Sequence, residues 1–156
     1  MSRADRGSEL MGLAVILLLT AFFVYHQVSG TGFFTGAFGI VEQVLFYGVV
    51  PFSVAVSSAR FLLGRRNPVR PIDVLSSAWM AATCLWLAVG FPLDFAHLGD
   101  PLGPVGFLLS WVPNVLARFL FAVGGLASGF NAVYQALLYA NVNRALVEPT
   151  TAPGGG

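Results

Sequence analysis

Four long stretches of this chain are free of charged side chains. Residues 10–25, 44–59, 74–93 and 119–142 contain no Asp, Glu, Lys or Arg. A helix rises about 1.5 Å per residue, so about 20 apolar residues cross the hydrocarbon core of a bilayer. The pattern predicts an all-α integral membrane protein, a four-helix bundle with spans at about 10–28, 40–63, 72–93 and 114–143.

The composition supports a membrane protein and excludes a soluble one. Hydrophobic residues make up 56% of the chain and charged residues 10%, whereas soluble domains carry about 25% charged residues. The segments outside the spans, including residues 1–9 and the tail 147–156, are too short to form a core of their own. We therefore expect one domain over residues 10–146, with a cytoplasmic N-terminal segment and a disordered cytoplasmic tail.

The arginines predict the orientation of the four spans. They lie before the first span, between the second and third, and after the fourth, apart from one inside the fourth span. Short arginine-rich segments stay in the cytoplasm, so an even number of spans places both termini there, in the cell membrane. The arginines of these three segments are Arg3, Arg6, Arg60, Arg65, Arg66, Arg70 and Arg144.

The two connections on the other side carry distinct signals. Residues 29–39 hold four glycines and three phenylalanines, which predicts a loop on the membrane surface or folded over the helices. Residues 105–111 form a short apolar stretch, predicted to be an external surface helix before the last span. Asn114 is suited to cap that span, and Pro51 is expected to kink the second span.

Small residues form one face of the fourth span. At 100° per residue, they fall close to one line along the helix, and larger apolar residues lie on another side. Small residues allow close helix packing in membranes, so we expect this face to contact another helix while the bulky face contacts lipid. The small positions are Ala122, Gly125, Gly129, Ala132, Ala136 and Ala140; the bulky ones are Phe119, Val123, Leu126, Phe130, Val133 and Leu137.

A polar stripe runs beside the small face. Ser128, Asn131 and Gln135 lie within about 60° of one another on the helix. Amide groups in hydrocarbon need hydrogen-bond partners, so the stripe should face protein. It either forms hydrogen bonds between helices or lines a path for a polar solute.

Two charges are predicted to meet near the external end of the spans. Glu42 lies about one turn into the second span and Arg118 about one turn into the fourth, so both should lie at a similar depth. A guanidinium matches the planar fork of a carboxylate, and the hypothesis is an ion pair between them. Separate snorkelling of each charge to the surface is the alternative.

The histidines and the aspartates of the third connection are weak candidates for a metal site. His26 ends the first span, and Asp94, His97 and Asp100 follow the third on the same side. Together they offer two imidazoles and two carboxylates, but the prolines and glycine around them oppose the helix that would align them. The sequence therefore predicts no metal and no other cofactor. The lone Cys84 has no partner for a disulfide.

The sequence favours a non-enzymatic function. It contains no nucleophile motif, no glycine-rich phosphate loop and no pair of histidines within the spans for haem, and its net charge of +1 argues against nucleic-acid binding. The leading interpretation is a structural or accessory subunit that contacts lipid and packs through its fourth helix against a protein partner or a second copy. The alternative is a small transporter or channel for an ion or small solute. A water-filled cavity reaching Gln135 would favour the transporter, whereas a dry interior with an exposed small-residue or aromatic patch would favour the subunit. A membrane enzyme or metal protein ranks third.

Overall fold

The computed structural model describes residues 3–63 and 69–147. Within these residues the chain is all-helical, with one isolated β-bridge and no strand. The helices are α1 Arg3–Ser29, α2 Ile40–Leu63, α3 Arg70–Gly90, the four-residue α4 Phe107–Ser110 and α5 Asn114–Val147, with 3₁₀ helices at Phe95–His97 and Asp100–Val105.

Four of the described helices are long and apolar enough to cross a membrane. Their apolar segments are Leu10–Ser29, Ile40–Leu62, Arg70–Gly90 and Asn114–Arg144. This confirms the prediction of four apolar membrane helices. Of the predicted disordered tail, only the first residue is described, and it ends α5. The rest of the tail lies outside the described residues, as do Arg65 and Arg66.

Several helix boundaries differ from the predicted spans, and two of the differences have a physical explanation. α1 begins at Arg3, because an apolar run marks the membrane-spanning part of a helix and not its first turn. α3 ends at Gly90, and Phe91 follows in the left-handed conformation with φ of 39°. The N–H of Phe91 bonds to the carbonyl of Leu87, and Pro92 has no N–H to continue the helix. The apolar sequence continues to Leu93, so it does not indicate that the helix ends at Gly90.

The long helices pack against their neighbours in chain order. α1 contacts α2, α2 contacts α3, and α3 makes the most extensive interface, with α5. In that interface Gly125 and Ala132 are buried, and a Cβ atom at Gly125 would lie 2.7 Å from Cγ of Leu85. The absence of a side chain therefore sets the distance between α3 and α5, as expected for small residues in membrane helices.

The small face of α5 is covered only along its first half. Ala136 and Ala140 are exposed, and so are all six bulky positions. α5 runs antiparallel to α3, since Arg118 bonds to Ala88 and Asn131 to Ser77. Only about two turns of α3 precede Ser77, whereas α5 continues for more than about four turns beyond Asn131. The second half of the α5 face thus extends past its partner helix.

A second close approach joins α2 to α3. A Cβ atom at Gly48 would lie 2.7 Å from the ring of Trp79. The ring nitrogen of Trp79 donates to the carbonyl of Leu45 at 3.1 Å, and the hydroxyl of Thr83 donates to the same carbonyl at 3.0 Å. α2 continues through Pro51 to Leu63. Side chains of α3 thus stabilise the backbone of α2 near its proline.

The glycine- and phenylalanine-rich loop folds over one end of the helices. Phe33 is fully buried, and its carbonyl accepts the N–H of Asp94 at 2.7 Å. The N–H and hydroxyl of Thr35 both donate to the carbonyl of Pro92. Of the two predicted positions for this loop, the structure shows the folded one. We call the packed rings the aromatic cap; they are Phe23, Phe33, Phe34, Phe38, Phe46, Phe95 and Phe121.

The connection between α3 and α5 is less helical than predicted. Residues 105–111 contain only the four-residue α4, preceded by the 3₁₀ helix Asp100–Val105. Gly103 has a φ of 54°, which interrupts helical geometry. The side chain of Asn114 accepts the N–H of Phe95 at 2.7 Å and donates to Asp94 at 3.2 Å. Asn114 thus joins two segments, whereas it was predicted to cap its own helix.

Candidate functional site

The structure does not bring Glu42 and Arg118 together. Glu42 accepts hydrogen bonds from the indole of Trp86 at 2.9 Å and from the N–H of Gly39 at 3.0 Å. Arg118 donates to the carbonyls of Ala88 and Val89. Among the described residues no ion pair joins the two charges.

Helix ends explain why the predicted ion pair is not formed. The last carbonyls of a helix have no partner within it, and α3 ends at Gly90, so Ala88 and Val89 offer free acceptors beside Arg118. The N–H groups that begin a helix attract an acidic side chain, and Glu42 lies in the first turn of α2. Backbone groups near each charge therefore compete successfully with the opposite charge.

The four metal candidates hold turns in place. His26 is buried; its Nε2 contacts the carbonyl of Leu98 at 3.2 Å and its Nδ1 contacts the hydroxyl of Thr31. A carbonyl only accepts, so Nε2 carries the proton and Nδ1 of the neutral ring accepts from the hydroxyl. His97 bonds to Asp100 at 2.9 Å, whereas the carboxylate of Asp94 accepts a hydrogen bond from Asn114. No group of three or more His, Cys, Asp or Glu suited to a metal occurs in the described part of the chain.

A polar cavity lies among the four long helices, at the end opposite the aromatic cap. It is open, with a volume of about 240 Å³. It includes Asn131 and Gln135 of the predicted polar stripe, whereas Ser128 does not line it. Its lining residues are Ile16 of α1; Ser53, Val56, Ser57 and Arg60 of α2; Asp73, Ser76 and Ser77 of α3; and Asn131 and Gln135 of α5.

An ion pair forms one wall of this cavity, near the ends of α2 and α3. Arg60 donates to Asp73 at 2.7 Å; the side chains are 42% and 12% exposed. Ser53 lies about 10 Å deeper along α2 than Arg60, so the cavity reaches well into the apolar part of the helices. Arg70, whose Nη1 is buried without a hydrogen-bond partner among the described residues, does not line it.

Most polar side chains of the cavity are not paired with each other. Asn131 donates to Ser77 at 2.8 Å. In the described part of the chain, no hydrogen bond joins the side chains of Ser53, Ser57, Ser76 or Gln135 to another residue. Unpaired hydroxyl and amide groups are costly in an apolar environment. These groups can therefore bind water or a polar solute within the cavity.

Sequence reasoning found only the α5 side of this site. It missed the serines and the ion pair between Arg60 and Asp73, since Arg60 was used only to predict the orientation of the spans. A signal for the serines exists: Ser53 and Ser57 are four residues apart, on one face of a helix. On α3, Ser76 and Ser77 lie three and four residues after Asp73, on the same side of the helix as Asp73.

Comparison with known protein families, with curated proteins and with solved structures found no match to this chain. Its function must therefore be argued from the geometry of the site.

Proposed function

We propose that this multi-pass membrane protein is a small transporter or channel that passes a small polar solute through the cavity between its helices. One observation carries the proposal. Hydroxyl and amide side chains from α2, α3 and α5 line one cavity, and in the described part of the chain those of Ser53, Ser57, Ser76 and Gln135 have no hydrogen-bond partner. Unpaired polar groups in a membrane are costly, and they commonly mark the path of a substrate.

The cavity shifts the preference between the two leading interpretations. A subunit that only packs would have a dry interior, with its polar side chains bonded between helices. Asn131 meets this expectation through its bond to Ser77, but Gln135 does not, and it lines the cavity instead. The cavity is open and reaches Gln135, so we expect water to fill it, which would favour the transporter.

The aromatic cap gives the proposed path a closed end. The loop that carries Phe33 connects α1 to α2, at the end of α2 opposite Arg60. Its hydrogen bonds to Pro92 and Asp94 hold it across the helix ends. A solute entering beside Arg60 and Asp73 would meet this cap, so passage requires the cap to open. We therefore propose a gated path with the open end of the cavity as its entrance.

We propose that the entrance faces the cytoplasm, because the arginine-bearing segments lie at that end of the helices. In a Cys84→Ala background in intact cells, an impermeant thiol reagent should label Gly36→Cys from outside and should not label Asn67→Cys. Gly36 is exposed, with no neighbouring atom within 4 Å of an added Cβ. Labelling of Asn67→Cys from outside would reverse the orientation.

A flux measurement tests the proposed function. Proteoliposomes are given gradients of Na⁺, K⁺, Cl⁻, erythritol and urea, one solute at a time. At least one solute should cross faster than in protein-free vesicles, and Asn131→Leu should abolish that flux because it removes the polar group and its bond to Ser77. Phe130→Leu, which changes a neighbouring side chain that is 77% exposed, is the control.

Two results would contradict the proposal. One is that no solute crosses faster than in protein-free vesicles. The other is that Asn131→Leu and Phe130→Leu conduct equally well, which would place the flux outside the cavity.

A subunit role remains the second candidate, and the exposed half of the small face favours it. Ala136 and Ala140 are exposed, with no described helix covering them, and small residues promote close contact between membrane helices. If a partner covers them, mild-detergent purification followed by native mass spectrometry should detect a stoichiometric complex, and Ala140→Trp should dissociate it. A monomeric species with bound lipid alone would exclude this role.

A further inference from the structure

We infer that the solute bound by this cavity is uncharged and carries several hydroxyl or amide groups, as small polyols and urea-like amides do. This inference rests on the proposed function and names its substrate class. It depends on two properties of the lining: its charges are paired with each other, and its remaining polar groups are hydroxyls and amides.

The charges of the cavity are already neutralised. Among the described residues that line the cavity, only Arg60 and Asp73 are charged, and they bond to each other at 2.7 Å. An ion that leaves water loses a large hydration energy, which an unpaired opposite charge or a ring of aligned dipoles must replace. To bind a cation here, Asp73 would have to release Arg60, and to bind an anion, Arg60 would have to release Asp73. A neutral solute requires neither change.

The remaining groups suit a solute that both donates and accepts hydrogen bonds. A serine hydroxyl does both, and so does the amide of Gln135. Ser53, Ser57 and Ser76 have no bond to another described side chain, so each can bond to the solute. Ile16 and Val56 complete the lining with apolar surface, which fits the carbon skeleton of a polyol. The volume, about 240 Å³, equals that of about eight water molecules.

The test compares solute classes and removes hydroxyl groups. In proteoliposomes of the full chain, the protein should increase the flux of erythritol and urea above that of protein-free vesicles, and it should not increase the flux of Na⁺, K⁺ or Cl⁻. The double variant Ser53→Ala/Ser57→Ala should lower the erythritol flux roughly tenfold, since each lost hydrogen bond weakens binding several-fold. Ser58→Ala is the control, because Ser58 lines an apolar groove between α1 and α2 and does not line the polar cavity.

The possible outcomes distinguish a failure of the inference about the solute from a failure of the proposed function. Faster flux of the neutral solutes, lowered by the double variant alone, supports both. Faster flux of an ion without erythritol or urea overturns the inference and leaves the transporter in place. Flux of water alone also overturns the inference, while flux of no solute overturns both. Equal erythritol flux through Ser53→Ala/Ser57→Ala and Ser58→Ala overturns the assignment of these hydroxyls to the solute.

Discussion

Gly125→Ala should destabilise the protein, whereas Gly129→Ala, the same change about one turn further along α5, should be neutral or stabilising. A Cβ atom at position 125 would lie 2.7 Å from Cγ of Leu85 and 3.1 Å from its backbone nitrogen. At position 129 the nearest atom, Cβ of Ala81, is 3.9 Å away, an ordinary contact. Overpacking costs about 1–3 kcal/mol, while replacing glycine by alanine in a helix gains up to about 1 kcal/mol.

Thermal unfolding of both variants in the same detergent measures the difference. Because the two substitutions are chemically identical and lie in one helix, the gain in helix propensity cancels between them. A midpoint for Gly125→Ala equal to or above that for Gly129→Ala would mean that the contact between α3 and α5 is looser than the structure shows.

Asp73→Asn should destabilise the protein more than expected for an exposed salt bridge. The Asp73 side chain is only 12% exposed, so the change leaves Arg60 facing a poorly hydrated neutral amide. Removing one partner of a buried pair costs about 3–5 kcal/mol, but Arg60 is 42% exposed and water compensates part of the loss. We expect a cost of about 1–2 kcal/mol, above the typical value of an exposed pair.

A double-mutant cycle with Asp73→Asn and Arg60→Gln separates the pair from other interactions of these residues. The loss in the double variant should be smaller than the sum of the two single losses, because either single change already breaks the bond. Additive losses would show that the two side chains do not interact in solution, and the premise that they neutralise each other would then be wrong.

The sequence was sufficient to predict four helices that are long and apolar enough to cross a membrane. A run without charges sets the length and position of a span almost alone, and helical periodicity correctly assigned the bulky face of α5. Gly125 and Ala132 are also buried where the small face predicts a helix contact. These features are local, since they depend on the order of residues within one helix.

Features that depend on the meeting of two segments were harder to predict. The predicted ion pair between Glu42 and Arg118 is not formed, because Arg118 donates to carbonyls at the end of α3 and Glu42 accepts from the indole of Trp86. The end of α3 at Gly90 was missed because Phe91 and Leu93 are as apolar as the helix before them. The cavity could not be located, since it requires the serines of α2 and α3 to face Gln135 across three helices.

Accessibility of the cavity to water is the most direct test of this account. In a Cys84→Ala background, Gln135→Cys and Leu137→Cys are compared in proteoliposomes with a small charged thiol reagent applied to each side. Both positions lie at a similar depth on α5, but Gln135 lines the cavity whereas Leu137 is exposed on the bulky face. The account predicts rapid labelling of Gln135→Cys, from the side that holds the entrance, and none of Leu137→Cys in lipid. No labelling of Gln135→Cys from either side, or equal labelling of both variants, would contradict it.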